Sequence, residues 1–338
     1  MNDEKIKFRP ILIFTIFIFI SSLYLFLPLK KAFAGPDGSG NNFFFKGPTA
    51  FGVTPPDKFI TFQGLTYQTF GSVFTNTGSV ENKPAQTDKF VFLPEFIWTK
   101  NILGITNFFE AVTPVGSVSQ NITNADQPSN QPSNFSNSSG GLGDILLFYG
   151  VYSKNYSYGN LAFNFFPQIS FTVPTGQWSS DSSVNLGGEE WQIMPTFAGQ
   201  FTYKLSAKQS IALDYALGYS KNEGHSTINV SEPASYTDPG NNVFLDAYLN
   251  YFITPKLDIY NETAYVKQFR NYGYINTSNG TVNTYGLINN GYKDVISGFG
   301  ADYHFTPSFQ LDGRVLKDLH GDNGPDGYYG MVDIIAAF

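Results

Sequence analysis

The sequence contains no cysteine, so no disulfide framework and no thiolate metal cluster can hold it together. Charge is scarce too, at 14% of residues against roughly 25% in an average soluble domain. The formal net charge is -7, which argues against a nucleic-acid binder, and no nucleic-acid partner is expected. Histidine appears three times, as His225, His304 and His320. Outside the N-terminus the chain also lacks long apolar runs, which excludes a bundle of transmembrane helices. What it does have is 34 Phe, 21 Tyr and 33 Gly. Many aromatics and glycines with few charges point to one large β structure that meets a membrane.

The first 34 residues read as a secretory signal. Lys5, Lys7 and Arg9 precede the uncharged apolar run Ile11–Leu27, and Ala32-Phe33-Ala34 supplies an A-x-A cleavage site. An uncleaved anchor is the alternative. Residues 35–57, rich in Gly, Pro and Asn around Phe43-Phe44-Phe45, are expected to form an N-terminal periplasmic or plug segment, and residues 58–338 the barrel described next.

From Leu161 to Val173 every odd position is apolar, while the even positions are mostly polar or small. Trp191–Leu205 and Ile211–Tyr219 repeat the pattern. A helix, with its period of 3.6, cannot sustain this alternation. The same reading predicts twelve strands: 58–70, 88–100, 102–115, 141–154, 159–175, 189–205, 209–221, 242–254, 257–269, 292–305, 308–320 and 327–338. Connections alternate between long and short, except the short 321–326. Long loops at one rim and tight turns at the other characterise a closed antiparallel transmembrane β-barrel of the Gram-negative outer membrane, with both termini periplasmic. In hydrocarbon every backbone polar group must be paired, and a closed sheet has no unpaired edge. Pro167 and Pro195 interrupt two strands and predict bulges. The last strand alternates from Tyr328 to the terminal Phe338, which reads as an assembly signal for the barrel assembly machinery.

Three stretches resemble a known family: Gly141-Leu142-Gly143-Asp144, Val173-Pro174-Thr175-Gly176-Gln177-Trp178, and Asn185-Leu186-Gly187 followed by Trp191. Their order and spacing are similar to the outer-membrane family of the MetA pathway of phenol degradation, which includes SphA-like proteins, over about Pro55 to Phe338. The resemblance implies a porin-like barrel of transporter type linked to uptake of aromatic or hydrophobic compounds. The chain departs from that pattern in its Asn/Ser-rich 116–140 loop and its long 222–241 and 270–291 loops.

If the apolar odd face meets lipid, the even face lines the interior. The expected pore-lining residues are Asp144, Phe148, Phe166, Gln168, Glu190, Gln192, Asp214, Asp246, Tyr248, Asp302, Asp312 and Arg314. His304, Asp318, His320 and Asp333 share the inward phase. Such an interior reads either as a hydrated wall with structural ion pairs or as an acidic filter favouring cations. The inward aromatics suggest a patch for apolar solutes, or packing against a plug.

An enzyme is not expected. A barrel lipase would need His-x-Ser on a strand, and Gly-x-Ser-x-Gly is missing too. No Cys/His cluster suggests zinc, and Asp322-Asn323-Gly324-Pro325-Asp326 reads as a turn rather than half a calcium loop. Neither cofactor nor metal is expected. The sequence thus predicts passive uptake of small, neutral or cationic, aromatic or hydrophobic compounds, with outer-membrane lipid and a small-molecule solute as partners. A structural or adhesion barrel, and less so a lipid enzyme, are the alternatives.

Overall fold

The computed structural model describes residues 56–74, 79–123, 134–177, 187, 191–222, 225–227, 235–238, 240–276, 283–289 and 291–338. The signal and nearly all of the proposed 35–57 segment lie outside the described residues. Among the described residues there is no helix.

The chain begins with β1 (Phe59–Phe74), β2 (Val80–Ile102), β3 (Ile105–Val112), β4 (Val115–Thr123), β5 (Asn134–Leu142) and β6 (Ile145–Tyr152). It continues through β7 (Tyr156–Tyr158), β8 (Leu161–Val173), β9 (Gln192–Lys204), β10 (Ser210–Asn222), β11 (His225–Thr227) and β12 (Ser235–Asp238). The last third holds β13 (Asn242–Thr254), β14 (Leu257–Gln268), β15 (Asn271–Asn276), β16 (Asn283–Asn289), β17 (Lys293–Thr306), β18 (Phe309–Asp322) and β19 (Pro325–Ala337).

Twelve of these close a ring in the order β1-β2-β3-β6-β8-β9-β10-β13-β14-β17-β18-β19, and β19 returns to β1. Each neighbouring pair in the ring is antiparallel. The seam is tied at its lower end, where Phe338 N donates to Phe59 O at 2.8 Å and Phe59 N to Phe338 O at 3.3 Å. The twelve strands are the twelve expected, within a few residues for most ends.

Short connections gather at the end that holds both described chain ends. Between β2 and β3 only Leu103 and Gly104 intervene, both at positive φ (53° and 81°). That pair of left-handed residues matches the twist of a two-residue hairpin. At the opposite end β11, β12, β15 and β16 form a separate four-stranded sheet, built from the long connections after β10 and β14.

Three expectations change. First, 116–140 is not simply a loop. β3 and β4 pair with β2 in one unbroken register, through Glu95↔Val112 and then Phe92↔Val115. β4 and β5 therefore extend two barrel strands beyond the ring, and only 124–133 fall outside the described residues. Their Asn/Ser content is high, while on β4 Val118 is buried against Val91 of β2. Pro94 and Pro114, which lack N–H groups, fall at the interruption between the two halves.

Second, no bulge accompanies Pro167 or Pro195. β8 and β9 stay in register past both prolines. Instead the ladders stop: β6–β8 pairing ends at Gly150↔Gln168, and β9–β10 pairing skips from Gly218↔Thr196 to Lys221↔Ile193. At Pro195 the missing donor is accommodated by an unpaired stretch without inserting a residue, while beyond Pro167 Ser153 N still donates to Phe165 O and one extra residue enters before Tyr156↔Phe163. Third, a bulge does occur in β18, where the register shifts between Val295 and Ile296. It leaves His320 exposed instead of inward.

The outer face carries the exposed apolar residues that a membrane requires, including Trp98, Phe109, Phe201, Val315 and Val332. Near the short turns the rings touch across strands. Trp98 stacks on Phe109 with centroids 5.7 Å apart, Phe109 meets Tyr149 at 5.0 Å, and Phe305 meets Phe309 at 5.4 Å. This is the aromatic girdle of a membrane interface. The closed ring and its apolar outer band make the chain an outer-membrane barrel, with the short-turn end periplasmic.

Candidate functional site: the barrel interior

Period-two alternation sends every second side chain of the ring inward; aromatic residues crowd one side of the interior, although Glu95 of β2 and Glu110 of β3 are buried there too. On β3, β6 and β8 the inward residues include Phe108, Val112, Leu146, Phe148, Tyr152 and Phe166, all buried. Phe108 lies 5.1 Å from Tyr152 and Tyr152 5.3 Å from Phe166, measured between ring centroids. The apolar cluster continues through Met194, Ala198 and Ala216 to Phe244, Tyr248 and Tyr260.

The strands β10 to β19 turn acids inward. Asp214, Asp258, Glu262, Asp302 and Asp312 are fully buried, and Asp246, Asp294 and Asp318 nearly so. Four aspartates occupy one row on four successive strands: Asp258↔Asp302, Asp302↔Asp312 and Asp312↔Asp333 are direct cross-strand pairs. Opposed like charges destabilise a sheet, so the row needs neutralising partners. Arg314 supplies part of this. Its guanidinium lies 3.3 Å from Asp333, 3.8 Å from Glu262 and 3.9 Å from Asp312. Tyr260 OH donates to Asp312 Oδ2 at 2.6 Å, and Tyr329 OH to Asp318 Oδ1 at 2.8 Å. Asn250 Nδ2 donates to Asp214 Oδ2 at 2.8 Å.

Of the twelve pore-lining candidates, eight are buried inside the barrel. Asp214, Asp246, Tyr248, Asp302, Asp312 and Arg314 lie buried on the acidic side, and Phe148 and Phe166 on the aromatic side. Gln168 and Gln192 are half-buried, and Gln192 Nε2 donates to Asn222 Oδ1 at 2.8 Å near the outer rim. Glu190 lies outside the described residues. Asp144 sits just before β6 and accepts the Gly176 N–H at 2.8 Å.

That last contact brings together the stretches that carried the family resemblance. Gln177 N donates to Leu142 O at 2.8 Å, Gly187 N to Gln177 O at 3.1 Å, and Ile145 N to Thr175 Oγ1 at 3.1 Å. The motifs fasten the long β8–β9 connection onto the start of β6.

Sequence reasoning passed over Asp258, Tyr260 and Glu262. They share a period-two face, but the other face of β14 carries Asn261 and Thr263 beside Ile259. With both faces mixed, the inward phase has little contrast.

Fold and interior together define a transmembrane barrel with a polar and aromatic lumen face. The chain belongs to the family described as "Putative MetA-pathway of phenol degradation", whose profile matches residues 71–334. Among solved structures it is similar to the COG4313 outer membrane channel from Pseudomonas putida F1. The TM-score is 0.67 at 15% identity, over 87% of this chain and 100% of that one. Two others are more distant. The transport unit of the autotransporter AIDA-I from Escherichia coli gives a TM-score of 0.46 at 10% identity, over 90% of this chain and 100% of that one. The Ralstonia pickettii toluene transporter TbuX gives 0.41 at 10%, over 86% and 91%. No curated protein sequence matches the chain.

Proposed function

We propose that this barrel is an outer-membrane channel for passive uptake of small aromatic or hydrophobic compounds, neutral or cationic. The observation that carries the reading is the two-sided interior, with the ring cluster Phe108, Tyr152 and Phe166 on one wall and the aspartate row on the other. Aromatic faces offer stacking surfaces and attract cations. Acids in a low-dielectric passage concentrate cations and repel anions. The family description names degradation of phenol, an aromatic compound, and the P. putida structure is an outer membrane channel; both support an aromatic-channel reading and say nothing of charge.

The test is purified protein in planar bilayers and in liposomes, with a panel of aromatic solutes and sugars of equal size. Cation-selective conductance with faster entry of the aromatic solutes is the expected result. A barrel that conducts nothing and admits no aromatic solute overturns the reading. A surface-contact role would then be favoured by the four-stranded sheet β11-β12-β15-β16 on the outer side.

A further inference from the structure

The periplasmic ends of β14 and β17 carry a donor set that solute uptake leaves unused. Asp258 and Asp302 face each other directly across the two strands, and both are fully buried. His304, two residues further along β17, points its Nε2 at both of them. It lies 3.7 Å from Asp258 Oδ1 and 3.6 Å from Asp302 Oδ2. One ligand atom from each of the three residues lies within 4.8 Å of the others.

These separations are too long for hydrogen bonds. They suit ligands that share an ion. Oxygen and nitrogen atoms bound about 2.0–2.2 Å from one metal stand roughly 3–3.5 Å from each other. A second observation concerns Asp258 alone. Neither of its carboxylate oxygens accepts a hydrogen bond, although the side chain has no exposed surface. Buried carboxylates are normally paired, hydrogen-bonded or bound to a metal. Arg314 is engaged by Glu262, Asp312 and Asp333, which leaves His304 as the basic group beside Asp258.

The backbone also holds the histidine in place. His304 N donates to Lys256 O at 2.8 Å, and the β17–β18 register shifts between His304 and Thr306. Bulges of this kind re-aim a neighbouring side chain. The imidazole side chain is 24% exposed, which gives an ion a way in.

We propose that Asp258, Asp302 and His304 bind one divalent first-row transition-metal ion at the periplasmic end of the barrel interior. Two carboxylates and an imidazole suit zinc, manganese or iron. The nitrogen ligand disfavours magnesium and calcium, which prefer oxygen alone. Three protein ligands leave coordination positions for water or a solute group. An ion here would also reverse the repulsion between the opposed aspartates.

The test uses the full chain, folded in detergent, stripped with a chelator and titrated calorimetrically with zinc chloride. Binding of one zinc per chain is expected. Loss of an outer-shell partner already costs a metal site 10–100-fold in affinity, so His304→Ala and Asp258→Asn should each cost at least about 100-fold. Heat-modifiable gel migration establishes that each variant is folded, and His225→Ala with His320→Ala should leave the site intact. Cobalt absorption bands that vanish in His304→Ala provide a second readout. Zinc affinity unchanged in folded Asp258→Asn and His304→Ala, or binding that follows His225 or His320, overturns the proposal. Displacement of zinc by equal magnesium or calcium overturns the assigned metal class. Neither outcome bears on solute flux, so the uptake reading is tested separately.

Discussion

Tyr260 on β14 reaches across the whole of β17 to hydrogen-bond Asp312 on β18, at 2.6 Å. It crosses above Gly300, the residue directly opposite it on β17, and a Cβ at that position would collide with the tyrosine ring. Glycine is required there because the ring takes the space that a side chain would fill. Gly300→Ala should therefore dislodge the ring and free Asp312, at a cost of about 1–3 kcal/mol from overpacking. Tyr260→Phe removes only the hydrogen bond to a carboxylate, worth roughly 1.5–3 kcal/mol. Unfolding midpoints in urea should fall for both variants, and the double variant should lose less than the sum of the two, because the hydrogen bond is lost only once while the ring still crowds position 300. Additive losses would show that the two residues act independently.

Arg314 faces three acids on three strands, so it holds the interior of the second half together. Removing one partner of a buried ion pair typically costs about 3–5 kcal/mol, because charge is left behind unpaired. Arg314→Met should thus sharply reduce the folded fraction. Adding Glu262→Gln and Asp333→Asn should restore much of it. Failure of these neutral partners to rescue would mean that arginine packing, and not its charge, matters most.

Phe338 is 71% exposed and closes the seam with Phe59 through its backbone. Deleting it removes two hydrogen bonds and the terminal aromatic ring. The amount of folded barrel in the outer membrane should drop, while the conductance of each inserted channel stays the same. Quantitative blotting of heat-modifiable protein beside single-channel recording separates the two effects. Undiminished insertion would remove Phe338 from any role in assembly.

Asp214 and Asp246 lie on the acidic wall away from the row that ends at Asp333. Converting both to Asn should shift the reversal potential in a salt gradient toward anions. Phe148→Ser and Phe166→Ser should lower aromatic flux and leave that potential where it was. A reversal potential that ignores the aspartates would assign selectivity to another part of the passage.

While the mixed faces of β14 hid its inward phase, the strand count and the side carrying short turns were legible in the sequence, because period-two alternation is a local signal. The status of individual residues was less so. His320 followed the inward phase on paper, but a bulge opposite β17 altered the register just before it. Pro167 and Pro195 announced a disturbance without saying whether the chain would bulge or leave pairs unmade. β4 and β5 read as loop because their Asn- and Ser-rich sequence carries little period-two apolar alternation. The grouping of Asp258 with Asp302, or Tyr260 with Gly300, depends on strand pairing across a long outer connection. No spacing within the sequence encodes that distance.

β2 spans the ring and continues beyond it, and β1 follows along its other edge up to Phe74↔Val80. The projecting β4–β5 pair is therefore mounted on β2, whose pairing with β1 is interrupted by a register shift between Phe70↔Thr87 and Ser72↔Asn82. A tug on the pair along the strand direction would load the rungs between β2 and its neighbours in shear, sharing the force among many at once. A sideways push would bend the projection where Thr113 and Pro114 break the β3–β4 line. This strand pairing should accordingly make the described part of the projection stiffer to pulling than to tilting, with the bend at Pro114.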